Sequence, residues 1–282
     1  MVLFNRVAIV GLGLIGGSLG MVIRRRRLAR EVVGLSRRPS TLRAARRRGA
    51  IDVGTTHLRQ AVAEAGLVVL ATPVGTIAPL AKQAARFMAQ SSILTDVGSS
   101  KAAIVRALER TLPRHIPFIG AHPLAGSEQR GIEAARVDLF DGALCVLTAT
   151  ERTNRKALAA VCDLWRRLVL RIIVMEPERH DRLLAAVSHL PHALAFCLVE
   201  ATDDGAMAVA PRSFLDATRV AKSDPDLWDD ILLSNRQELL TAMERFDRTW
   251  RGLRTQLARG NRQALRRLLA RAKSKRDALH DP

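Results

Sequence analysis

Short aliphatic runs alternate with amphipathic stretches through the first 175 residues. Residues 7–10, 31–35, 67–71, 92–96, 117–120, 143–148 and 171–174 are dense in Val, Ile, Leu and Ala and read as strands. Between them, residues 14–27, 39–48, 74–90, 101–110 and 154–168 repeat apolar positions at helical spacing. Strands that alternate with helices pair in parallel through helical crossovers, so this region is predicted to be an α/β, doubly wound Rossmann domain. After Met175 the strands stop. Residues 178–202, 213–221 and a long stretch from 226 towards 276 read as helix, with candidate breaks at Arg251-Gly252 and Arg259-Gly260. The boundary is placed at Glu176-Pro177, because proline suits the first turn of a helix leaving the sheet. Residues 1–176 then form the α/β domain and 177–282 a second, all-helical one.

Composition supports two packed cores: 48% of the 282 residues are hydrophobic and 26% charged. No apolar run is expected to approach the ~20 residues of a bilayer span, and residues 1–4 lead straight into a strand, so a cytoplasmic protein without a membrane partner is expected. Cys145, Cys162 and Cys197 lie far apart in apolar stretches and read as buried, reduced thiols. The net charge of +18 comes mainly from arginine and would attract polyanions. With 4% aromatic residues and no Tyr, however, a base-stacking surface is poorly supported, and nucleic acid is not the expected partner. The same charge would draw in an anionic cofactor and substrate.

The first crossover carries Gly11-Leu12-Gly13-Leu14-Ile15-Gly16 directly after the 7–10 strand. In that context one glycine makes the tight turn, one admits a pyrophosphate to the backbone, and one lets helix pack on strand. The amides of Leu14, Ile15 and Gly16 would face the phosphates at the positive end of the helix dipole. A nicotinamide dinucleotide is the expected cofactor. At the end of the second strand, where an acid would hold a ribose 2′-hydroxyl, this chain has Ser36, Arg37 and Arg38. A hydroxyl and two guanidinium groups suit a 2′-phosphate, so NADP is favoured, with NAD as the alternative. Thr72 and Pro73, after the 67–71 strand, and Asp96 and Gly98, after the 92–96 strand, are assigned to the same cofactor site.

Five segments, GLGLIGGS (11–18), TDVGSSK (95–101), GAHPLAGSE (120–128), SHLPH (188–192) and TRVAKSDPDLW (218–228), occur in an order and spacing that resembles the prephenate and arogenate dehydrogenases of tyrosine biosynthesis. The resemblance implies oxidative decarboxylation of a cyclohexadienol, in which hydride leaves the carbon bearing the hydroxyl, carbon dioxide leaves the opposite carbon, and the ring becomes aromatic. It implies that His122 is the catalytic histidine, and an imidazole titrating near neutrality can take the hydroxyl proton. It implies that Ser99, or its neighbour Ser100, hydrogen-bonds the same hydroxyl; Ser99 could equally cap the helix starting near Lys101. Arg219 matches the arginine that pairs with a substrate carboxylate, a task suited to its planar fork. A second basic residue common in the family is replaced here by Leu215, with Arg212 or Lys222 as candidate substitutes. His189 and His192 are placed at the substrate cleft. With His180 and Asp181 they could also suggest a metal site, but Pro191 between them makes a poor rigid template, so no metal is expected. The resemblance further implies a homodimer built by the helical domain.

Two rivals remain. A β-hydroxyacid dehydrogenase would use a lysine early in the second domain, and residues 177–202 contain none. A cofactor-sensing or nucleic-acid-binding protein that had lost catalysis would not be expected to retain His122, Ser99 and Arg219 together.

Overall fold

In the computed structural model, which describes residues 2–279, β1 (Phe4–Val10) leads through α1 (Leu14–Arg25) to β2 (Ala29–Leu35). There follow α2 (Pro39–Arg47), β3 (Val53–Thr55), α3 (Leu58–Val62), β4 (Leu67–Leu70), α4 (Val74–Ala85), β5 (Ile93–Asp96), α5 (Ala102–Thr111) and β6 (Phe118–Ile119). The six strands form one parallel sheet in the order β3-β2-β1-β4-β5-β6. Alternate residues enter opposite cores: Val7, Ile9, Leu67 and Val69 pack with Leu19 and Ile23 of α1. Ala8, Val10, Val68 and Leu70 pack with Ile77 and Ala81 of α4 and Leu108 of α5. That two-sided burial is why these strands read as continuous apolar runs. The strand order reverses between β1 and β4, and the crevice outside the carboxyl ends of those strands is where such sheets bind ligands.

A second, three-stranded sheet consists of β7 (Ala121–Leu124), β8 (Leu144–Thr148) and β9 (Arg171–Met175), with α6 (Arg155–Arg166) between the last two. β7 runs antiparallel to β8, pairing His122 with Val146. Neither β3 nor β7 was visible in the apolar pattern. β7 contains a histidine and a proline, and it exists because β8 offers it a ladder, not because of its own propensity.

The helical part comprises α7 (Pro177–Leu184), a π-turn (Ala185–His189), α8 (Leu190–Glu200), α9 (Asp204–Met207), α10 (Arg212–Thr218), a 3₁₀ turn (Arg219–Lys222), α11 (Pro225–Ser234), α12 (Arg236–Ala258) and α13 (Arg262–Asp277). Its long final stretch breaks at Asn235 and at Gly260, which takes φ +61°, but runs unbroken through Arg251-Gly252. By contacts the chain forms one compact unit up to Asn235 and a second from Arg236 onwards. Trp228 and Ile231 of α11 explain why the first unit extends so far, since both are buried in the core beneath α4. In the second unit Phe246 stacks on Trp250 with ring centroids 6.1 Å apart.

Two expectations need correction. Cys145 and Cys162 are buried, but Cys197 is exposed on α8. The helical stretch Pro177–Glu200 does have the length and apolarity of a membrane span, at a mean hydropathy of 1.5. It carries the buried His180, Asp181 and His189, while 28% of its most apolar window is buried within the chain.

Candidate active site

The glycine turn has the shape its chemistry requires. Gly11 adopts φ +99°, and a Cβ there would lie 2.3 Å from the carbonyl oxygen of Ala71. A Cβ on Gly16 would lie 2.0 Å from the carbonyl oxygen of Gly11, so strand and helix meet without room for a side chain. Gly13, the N-cap of α1, faces open space, with no side chain capping the amides behind it. An open position between two closed ones, in front of uncapped helix amides, fits a dinucleotide pyrophosphate. Ser36, Arg37 and Arg38 follow β2, and the Arg38 amide donates to Ser36 Oγ at 3.2 Å, while both arginines are exposed. Thr72 and Pro73 lie between β4 and α4, where the Gly75 amide donates to the Asp230 carboxylate at 2.9 and 3.1 Å.

After β5, the Asp96 carboxylate is fully buried. It accepts the Gly98 amide at 2.9 Å and the Ala121 amide at 3.1 Å, and it pairs with the equally buried Lys101 ammonium. This bracket ties the β5–α5 turn to β7 and so positions His122. Ser100 is buried and donates to Ser234 Oγ at 2.8 Å, whereas Ser99 is partly exposed. Ser99 does not cap α5. Asp181 does so from α7, accepting the Lys101 amide at 2.7 Å and the Ala102 amide at 2.9 Å.

His122 Nδ1 lies 2.9 Å from His180 Nε2, and His180 Nδ1 lies 2.7 Å from Asp181 Oδ1. Burial pushes His122 well below the usual histidine range, with the neighbouring His180, Lys101 and His189 acting in the same direction. His180 is lowered by burial, against the opposing pull of Asp181. His189 is lowered to about 4, again by burial. Its Nδ1 is 3.1 Å from Asn235 Nδ2, whose other hydrogen goes to the Asp181 carbonyl at 2.8 Å. An amide nitrogen only donates, so His189 Nδ1 accepts and Nε2 carries the proton. That buried Nε2 has no hydrogen-bond partner among the described residues. His192 stacks on Trp228 with centroids 3.5 Å apart, and donates from Nδ1 to the Ser188 carbonyl at 2.9 Å. The π-turn at Ala185–His189 lets Pro191 sit in a continuing helix, since widening relieves the clash with the preceding turn. In this array burial lowers the basicity of all four histidines.

Arg219 follows α10, with its side chain 62% exposed and 3.7 Å from Glu128. It is close enough to His192 to depress that ring's basicity, after the larger effect of burial. Leu215 is exposed, and Arg212 is engaged with Asp216 at 3.1 Å.

The structure brings His122, His189 and His192 into one array and adds Lys101 and Asn235, which the sequence does not single out, together with His180 and Asp181, which the sequence offers only as metal ligands. The one available signal was His180-Asp181 in the first turns of a helix otherwise apolar on its inner side.

A family model described as "Prephenate dehydrogenase, nucleotide-binding domain" matches residues 19–174, and one described as "Prephenate dehydrogenase, dimerization domain" matches residues 176–271. The latter accounts for the homodimer expected from the sequence. Cyclohexadienyl dehydrogenase of Zymomonas mobilis is 35% identical over 92% of this chain and 90% of its own. The crystal structure of prephenate dehydrogenase from Aquifex aeolicus in complex with hydroxyphenyl propionate and NAD+ is 33% identical, covers 96% of this chain and 97% of its own, and superposes with a TM-score of 0.90. The Synechocystis arogenate dehydrogenase structure is 31% identical, covers 96% of this chain and 99% of its own, and gives a TM-score of 0.83. The chain belongs to the prephenate dehydrogenase family, enzymes of tyrosine biosynthesis that carry out oxidative decarboxylation with a nicotinamide cofactor.

Proposed function

We propose that the protein oxidatively decarboxylates arogenate, prephenate or both, with preference for NADP, and that His122 is the base for the ring hydroxyl. The observation that carries this reading is the buried His122 with its Nδ1 already engaged by His180, which leaves Nε2 to take a proton. The bound nicotinamide supplies the hydride acceptor. As hydride leaves the ring carbon, His122 Nε2 removes the hydroxyl proton. The electron pair of the ring–carboxylate bond then enters the ring as carbon dioxide departs, and the phenolate oxygen takes the proton back. Ser99, more exposed than Ser100, orients the hydroxyl. Arg219 exchanges Glu128 for a substrate carboxylate, and His189 Nε2–H and the half-buried His192 donate or accept on the substrate's flank.

On the cofactor side, Gly11, Gly13, Leu14, Ile15 and Gly16 hold the pyrophosphate, and Thr72, Pro73 and Gly98 line the nicotinamide end. Ser36, Arg37 and Arg38 take a 2′-phosphate; the exposed guanidinium groups beside the hydroxyl support NADP over NAD. We place the enzyme in the cytoplasm, with residues 1–176 serving the cofactor and 177–282 serving substrate and dimer. The direct test is a matrix of steady-state rates, prephenate and arogenate each with NADP and NAD. Turnover fastest with NADP supports the reading; equal or faster turnover with NAD removes the cofactor preference, and the better substrate is read from the same matrix.

A further inference from the structure

We propose that Asp181, acting through His180, is the positioning device that fixes the ring protons of His122 so that its Nε2 lone pair faces the reaction. The inference rests on the reading of His122 as base. It follows from hydrogen-bond polarity along one chain of atoms. Asp181 Oδ1 can only accept, so His180 Nδ1, 2.7 Å away, carries the proton. A neutral His180 then has its lone pair on Nε2, which accepts from His122 Nδ1 at 2.9 Å. His122 therefore holds its own proton on Nδ1, and Nε2 is left as the basic nitrogen.

The Asp181 carboxylate is itself immobilised by the Lys101 and Ala102 amides at 2.7 and 2.9 Å, so the order cannot reverse by a simple rotation. His180 is fully buried and Asp181 nearly so, which keeps water from supplying an alternative partner. When His122 Nε2 gains the hydroxyl proton, no other proton has to move. Nδ1–H stays bonded to His180, and the new imidazolium faces a carboxylate through one polarised ring. This offsets the nearby Lys101 charge, which otherwise opposes protonation. His180 and Asp181 touch no substrate in this scheme, and act on kcat rather than on binding.

The test uses the full-length dimeric enzyme with ¹⁵N-labelled histidine rings. Long-range ¹H–¹⁵N spectra, assigned with His122→Asn and His180→Gln, are expected to show both rings protonated on Nδ1. A proton on His122 Nε2 overturns the proposal, whatever the variants do. In kinetics, His180→Leu removes the acceptor and is expected to lower kcat roughly 100-fold or more, with KM and cofactor Kd within about twofold. His180→Gln restores an acceptor oxygen for His122 Nδ1–H and should recover roughly tenfold of that loss. Equal losses in the two variants, or a kcat for His180→Leu within about twofold of the native rate, overturn the proposal. If His122→Asn is inactive while the His180 variants are fully active, only the positioning role falls; if His122→Asn is itself fully active, the base assignment falls.

Discussion

Lys101 and Asp96 form an ion pair in which neither side chain has exposed surface. Removing one member of such a pair strands a charge, which typically costs about 3 to 5 kcal/mol. Asp96 also holds the Gly98 and Ala121 amides, so a stranded carboxylate would disturb both the β5–α5 turn and β7. Lys101→Met should lower the thermal midpoint by roughly 10 °C. A melt within about 2 °C of the native protein would show that the pair is not holding this turn.

Acid should destabilise the fold earlier than carboxylate protonation alone would. His122, His180, His189 and His192 have folded pKa values below the ordinary 6.5, so below that pH the unfolded chain binds protons that the folded chain refuses. Stability is then fully present above about pH 6.5 and declines as pH falls, at up to about 1.4 kcal/mol per pH unit for the buried His189 and least for the half-buried His192, where solvent screens the effect. For His189 the decline continues to about pH 4. Urea midpoints at pH 7.5 and 5.0 measure this, and the difference should shrink in His189→Gln; an unchanged difference would exclude His189 as a contributor.

In the proposed reading, the two exposed side chains of Arg37 and Arg38 set the cofactor preference. Reversing both charges to Glu should weaken NADP binding at least 10-fold and leave NAD binding within about threefold, since charge-assisted contacts to phosphate are worth about 1.5 to 3 kcal/mol. Titration of cofactor fluorescence with each dinucleotide gives the two Kd values. Equal weakening of both would remove these arginines from 2′-phosphate recognition.

Arg219 faces Glu128 at 3.7 Å on an exposed edge, where the pair itself contributes little to stability. Arg219→Ala should therefore melt within about 1 °C of the native enzyme yet raise KM by roughly 10- to 100-fold, the cost of losing a charge-assisted contact to a carboxylate. A KM unchanged from native would place the carboxylate elsewhere, with Lys222 the next residue to test.

The parallel sheet was legible because both faces of β1 and β4 are buried, so Val7 to Val10 and Leu67 to Leu70 are unbroken apolar runs bounded by turns. The glycine turn was legible because its spacing is dictated by contact distances, as the 2.0 Å approach at Gly16 shows. β7 was not legible, since its register depends on β8, more than twenty residues further along the chain. For the same reason the site was only half visible. Motif order placed His122, but Asp181 caps a helix 79 residues before it, and Asn235 reaches His189 from 46 residues away. Those links are products of tertiary packing, and local pattern carries no trace of them. Ser99 as a helix cap failed because a carboxylate from α7 took that role.

His122 is proposed to take the hydroxyl proton during hydride transfer. It is tested most directly by comparing native enzyme with His122→Asn in single-turnover absorbance of the reduced cofactor, alongside cofactor Kd. A fall in rate of about 10²- to 10⁴-fold is expected, with cofactor Kd within about twofold of native. A variant that reduces the cofactor at the native rate would contradict it.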